Sequence, residues 1–140
     1  MPSHNDLNPA NVLWDGERVW LVDWEQSGLT HPYYDMAALS AFLVIDDDVA
    51  RQLVTAQEGV PLSAEQAELF LALRRLAMVF YATIFFSLGT LEGNVPRALD
   101  EVASMGELYA QMGSGTLSLR TPEGQARFGA AMLKRALTDG

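Results

Sequence analysis

The spacing of apolar positions changes once along the chain, near Tyr33. Before it, short β-prone runs alternate with polar turns. Val12-Leu13-Trp14 and Val19-Trp20-Leu21-Val22 stand on either side of Asp15-Gly16. Two such runs around Asp-Gly predict a β-hairpin. The second run is apolar on both faces, which predicts helical cover on at least one side. Trp14 and Trp20 are accordingly read as hairpin core. Met1 to Ala10 is polar, carries Pro2 and Pro9, and reads as loop.

From Tyr33 onward the period becomes helical. Pro32 precedes Tyr33 to Val44, where Met36, Leu39 and Leu43 form a stripe of 3.6-residue period. Asp46-Asp47-Asp48 opens a helix to about Gln57, with its acidic residues at the favourable end of the macrodipole, and Gly59 ends it. The three aspartates lack the glycine and terminal glutamate of a calcium loop. Ser63-Ala64-Glu65-Gln66 has the pattern of a capping box and starts the longest helix, to about Leu88. Its Phe80, Tyr81, Phe85 and Phe86 are read as core. A further helix is predicted over about Val95 to Met112, stopping at Gly113. Thr121-Pro122-Glu123 caps the last helix, which runs to about Thr138. The expected class is α+β, mostly α: one small hairpin followed by about five helices. A single domain over 1–140 is expected, divided into 1–31 and a helical 32–140.

Composition narrows the class. A hydrophobic fraction of 49% with 19% charged residues belongs to a folded chain. The chain has no cysteine, which excludes disulfides and thiolate metal sites and fits a cytoplasmic location. Met1 to Asp6 has no apolar segment of the signal-peptide kind. Leu69 to Leu91 is the most apolar stretch, but Arg74 and Arg75 interrupt it, so it reads as a buried helix and no membrane is expected as a partner. Nine basic against eighteen acidic residues give a net charge of −9. That charge argues against nucleic acid and favours a cationic ligand, or serves solubility alone.

Polar residues gather at the open end of the predicted hairpin. Asn11 immediately precedes its first strand and Asp23 immediately follows its second. Paired strands lie about 4.8 Å apart, so the two residues emerge side by side. Asp6 lies in the loop that feeds this end. The set offers oxygen ligands, which suit a hard cation such as Mg²⁺ better than zinc. The plainer reading is loop capping by ordinary Asx residues.

His4-x-Asp6-x-x-x-x-Asn11 resembles the catalytic loop of the aminoglycoside phosphotransferases and choline kinases, relatives of the protein kinases. Leu21-Val22-Asp23-Trp24-Glu25 resembles that family's Ile-Asp-Trp-Glu segment. His31-Pro32-Tyr33-Tyr34-Asp35-Met36-Ala37 resembles its Asp/Asn-Pro-x-x-Asp-Leu-Ala stretch. The likeness covers about Ser3 to Phe42. It implies the C-terminal lobe of a protein-kinase-like fold. Asp6 would accept or orient the proton of a substrate hydroxyl. Asn11 and Asp23 would hold Mg²⁺ against the phosphates of ATP. His4, Asn8 and Asp35 would support the loop. Trp24 and Glu25 are substrate candidates, because an aromatic face beside a carboxylate suits an ammonium group; Tyr33 and Tyr34 are weaker ones, and core packing is the rival reading. His31 is read as a turn residue. The implied reaction moves the γ-phosphoryl group in line to a hydroxyl of a small metabolite or antibiotic, of choline, thiamine, amino-sugar or aminoglycoside type.

Such kinases also need an N-terminal lobe with a phosphate-covering loop and a strand lysine. Three residues precede His4, the single lysine is Lys134, and no Gly-x-Gly-x-x-Gly occurs. The reading therefore expects a truncated form, whether by a shortened gene, a misplaced start codon or excision, with little turnover of its own. The alternatives are a non-catalytic relic or binding module for a cationic ligand or divalent metal, and a split enzyme completed by a separate N-lobe chain. Self-association is expected if aromatic residues of the longest helix are left uncovered.

Overall fold

A computed structural model describes residues 1–89 and 98–138. They fall into two compact units, Met1–Ala77 and Met78–Gly140. The chain is α+β and mostly helical, with small N-terminal strand pairs followed, among the described residues, by five α-helices.

Among the described residues, the first unit carries all four strands. β1 (Pro2–Ser3) pairs antiparallel with β4 (Gly28–Leu29), with Ser3 opposite Gly28. The sequence reading has loop here. A two-residue ladder leaves no side-chain period to read, and it is closed by backbone groups alone, with the amino terminus donating to Thr30 O at 2.9 Å. β2 (Val12–Trp14) and β3 (Val19–Leu21) form the expected hairpin, with Leu13 opposite Trp20. Asp15 shapes its turn by accepting from the Glu17 and Arg18 N–H groups, both at 2.9 Å. Gly16 takes φ 103°, a left-handed value that glycine adopts without penalty.

The hairpin is not covered as the sequence predicts. Trp14 is 65% exposed, Val19 57% and Trp20 49%. The helices of this unit pack on one another instead. Tyr33, Ala37, Ala50, Val54, Phe70 and Leu71 form the core, flanked by Met36, Ile45, Leu62 and Leu73. The six core residues come from α1 (Tyr34–Phe42) and the residue before it, α2 (Asp47–Glu58), and the first half of α3 (Ala64–Leu88).

Local chemistry sets the helix ends. Asp46 Oδ1 accepts from Val49 N–H at 2.8 Å, and Gly59 closes α2 at φ 71°. The Ser63 and Gln66 side chains each bond the other's backbone N–H at the start of α3. Asp47 does more than favour the helix dipole. Its carboxylate accepts from Arg74, which is 1% exposed and also donates to Ile45 O at 2.8 Å. By length and composition α3 could cross a bilayer. At Arg74, however, it buries a charge against protein partners, which is how a protein interior accommodates one.

The second unit holds the rest of α3, α4 (Met105–Gly113) and α5 (Pro122–Thr138). Met78, Tyr81, Leu108, Phe128 and Met132 are buried in it. The Phe128 ring lies 4.8 Å from that of Phe85 and 5.8 Å from that of Tyr109. Phe80 and Phe86, read as core, are exposed. α4 is shorter than its apolar period predicts. The start expected at Val95 lies outside the described residues. Leu99–Glu101 is a separate 3₁₀ turn, and α4 begins at a capping box in which Ser104 and Glu107 bond reciprocally.

Candidate active site

Three segments of the first unit meet around the His4–Asn11 loop. The first anchor comes from α1. Asp35 sits in its first turn and turns its carboxylate onto the loop, accepting from His4 N–H at 2.8 Å and Asn5 N–H at 2.9 Å. Bidentate, charge-assisted bonds of this kind fix a backbone more firmly than neutral ones.

The second anchor is the His4 ring, which is buried. Nε2 lies 2.8 Å from Val22 O, and only an N–H can bond a carbonyl, so Nε2 carries the proton. Nδ1 then accepts from Asp6 N–H at 3.4 Å. The imidazole thereby ties the loop to the strand end that precedes Asp23. Trp24 packs on it, with ring centroids 4.7 Å apart, and donates its indole N–H to Leu21 O at 2.8 Å.

The third anchor is local. Asn8 Oδ1 accepts from Ala10 N–H at 2.9 Å and caps a 3₁₀ turn over Pro9–Asn11. That turn delivers Asn11 into β2. Asn11 is buried, and its Nδ2 donates to Asp6 O at 2.9 Å and to Asp6 Oδ2 at 3.1 Å. The amide nitrogen is thus committed to Asp6, and the carbonyl oxygen is the donor left for a cation.

Asp23 follows the hairpin. Val22 N–H donates to Asn11 O at 3.1 Å, extending the ladder by one step and placing Asp23 just beyond Asn11. Asp23 adopts φ 64°, ψ 61°, a left-handed conformation that Asp and Asn tolerate better than most residues. It precedes a 3₁₀ turn over Trp24–Gln26 without capping it by its side chain. Glu25 is exposed in that turn. Among the described residues no three His, Cys, Asp or Glu side chains are placed to hold a metal ion by themselves. The donors here, one carboxylate and one carboxamide, fit magnesium, which takes few ligands from protein and completes its shell with phosphate and water.

Sequence reasoning gives Asn5 no role and reads Tyr34 only as a weaker substrate candidate. Asn5 has φ 66°, and its amide bonds Gln26 O and the Thr30 hydroxyl. The αL preference of asparagine is the one local signal that points to it. Tyr34 is half-buried, and its phenol is pushed above its ordinary value of 10.0, first by burial and then by the negative charges of Asp35 and Asp6. Its hydroxyl therefore shares the electrostatic neighbourhood of the loop.

The comparisons bear on the same segment. The phosphotransferase enzyme family, APH, matches residues 2–75, just over half of the chain. Two proteins named Protein LicA, both from Haemophilus influenzae, are 47% identical to it over 38 residues, or 27% of this chain. Those residues amount to 14% and 11% of the respective LicA proteins, so the chain matches only a small part of their length. No solved structure matches it. With the anchored His4–Asn11 loop inside the matched region, the chain belongs to the phosphotransferase enzyme family.

Proposed function

We propose that this chain supplies the catalytic and metal-holding segment of an ATP-dependent phosphotransferase whose acceptor is a hydroxyl on a small, cationic metabolite. The observation that carries the reading is the Asp6–Asn11 pair at 3.1 Å, held from three sides by Asp35, His4 and Asn8. An ordinary Asx cap needs one bond. This loop has its backbone, its acid and its amide fixed together.

In the proposed chemistry Asp6 accepts the hydrogen bond of the acceptor hydroxyl and orients its oxygen for in-line attack. Such positioned proton acceptors contribute about 10²–10⁴-fold to rate. Asn11 and Asp23 would hold Mg²⁺, which would supply neutralisation of phosphate charge. Asn11 also donates to the Asp6 carboxylate, which keeps that carboxylate aimed. The exposed Glu25 and the Trp24 face, with a net charge of −9, favour a cationic acceptor. Choline-like, thiamine-like, amino-sugar and aminoglycoside acceptors share that chemistry.

The test supplies a nucleotide-binding lobe in cis or as a separate polypeptide and follows ADP release with a panel of such acceptors. Transfer to at least one of them is expected, lost by about a hundredfold or more on Asp6→Asn. Undiminished transfer by Asp6→Asn would remove Asp6 from its role. Binding of Mg²⁺-ATP without transfer to any acceptor would favour a binding module over an enzyme.

A further inference from the structure

We infer that Asn5 is a positioning residue for Asp6, acting through an amide clamp onto the segment around β4; this rests on the reading of Asp6 given above. Asn5 stands immediately before Asp6 and adopts φ 66°. An L-residue in that region costs about 1 kcal/mol or more, and glycine would adopt it at no steric cost. What asparagine adds over glycine is its side chain, and here both ends of the amide are engaged. Nδ2 donates to Gln26 O at 3.0 Å, and Oδ1 accepts from the Thr30 hydroxyl at 2.8 Å.

Gln26 and Thr30 flank β4, the strand paired with β1. Between them Gly28 leaves room for the amide, since a Cβ there would lie 3.2 Å from Asn5 Nδ2. The clamp therefore reaches the loop from a side that neither Asp35 nor His4 serves. Asp35 holds the Asn5 N–H at 2.9 Å, and the amide fixes its side chain. With both held, the direction in which the chain leaves toward Asp6 is set. On the far side, Asn11 Nδ2 takes Asp6 O and Oδ2. Asp6 is thus suspended between two asparagines, one fixing its backbone entry and the other its carboxylate. Without the Asn5 amide the left-handed turn can persist, but its plane is free to rock, and the Asp6–Asn11 bond lengthens or breaks.

The experiment follows hydrogen exchange of the side-chain amide of Asn11 by NMR in the intact chain at a single fixed pH. Slow exchange reports the bond to Asp6, since an amide N–H held by an acceptor exchanges more slowly than one open to water. Asn5→Gly keeps the backbone accessible and removes the amide, and Thr30→Val removes one hydroxyl from the clamp. Both variants are expected to keep dispersed spectra and to lose the slow exchange of the Asn11 amide, while Asn5→Asp, which still accepts from Thr30, retains part of it. Wild-type protection in Thr30→Val, or in a folded Asn5→Gly, would overturn the clamp. Mn²⁺ broadening of the Asp6, Asn11 and Asp23 signals in the unaltered chain tests the metal reading separately. Failure there with intact amide protection would sink the phosphotransferase geometry and leave the clamp standing.

Discussion

At the scale of single residues, the site is held by side chains bonded to backbone. Asp35 shows what that implies. Its two oxygens take the N–H groups of His4 and Asn5, and nothing else of matching charge would replace them in Asp35→Ala. Donors left unsatisfied in a partly buried site cost about 1–3 kcal/mol each, so urea unfolding of this variant should show a loss of about 3 kcal/mol. A change below about 0.5 kcal/mol, the range of an ordinary surface substitution, would mean that water takes over the role. Tyr34 gives a second prediction. Burial, and then the charges of Asp35 and Asp6, hold its phenol neutral beyond its ordinary 10.0. Above pH 10 or so the unfolded chain ionises this tyrosine first. Stability from this group is therefore complete below that pH and declines as pH climbs through the folded value. Tyr34→Phe should flatten the alkaline fall in unfolding midpoint. Asp6→Ala should bring the Tyr34 tyrosinate absorbance to lower pH, and an unmoved titration would separate Tyr34 from the loop.

At the scale of elements, glycines within the helices divide by what surrounds them. In the interior of a helix Gly→Ala ordinarily gains about 0.5–1 kcal/mol. Gly106 in α4 has nothing within 4 Å of a notional Cβ, so Gly106→Ala should raise the thermal midpoint. A Cβ on Gly124 in α5 would lie 2.0 Å from Ser118 O, which is backbone and cannot step aside. Gly124→Ala should lower the midpoint by an amount equivalent to about 1–3 kcal/mol. If both changes moved stability the same way, the close approach of Ser118 would be wrong. The same contrast between local and distant causes explains what the sequence could convey. The starts at Asp46, Ser63 and Pro122 are legible because each cap lies within four residues of what it caps. Ser104 and Glu107 are just as local, yet the apolar period from Val95 to Met112 runs through them and hides the break. The β1–β4 ladder has no side-chain signature at all. At the candidate site, residue type and spacing single out Asp6, Asn11 and Asp23, and the structure bonds Asn11 to Asp6. Neither singles out Asn5, because its worth lies in Gln26 and Thr30, more than twenty positions away.

For the molecule as a whole, the hairpin sets the remaining expectation. Apolar residues on both of its faces promise burial, but their pattern does not say what buries them, and in this chain Trp14, Val19, Trp20 and Leu21 are open to solvent. A two-stranded ribbon is marginal by itself, and exposed apolar strands with free edges invite pairing with other chains. Opposing this is a net charge of −9, which keeps copies apart at low ionic strength. The balance predicts association that grows with protein concentration and with salt, since screening weakens repulsion between chains while apolar contact is retained. Light scattering across a salt series should show that growth in the unaltered chain and none in a Trp14→Lys, Trp20→Lys double variant. Those substitutions remove the exposed indoles and place charge on both strands, a device natural edge strands use against pairing. A polypeptide carrying a nucleotide-binding lobe should suppress association of the unaltered chain if it covers the same hairpin. Association that persists in the double variant would locate the sticky surface elsewhere, with the exposed Phe80 and Phe86 of α3 as the next residues to change.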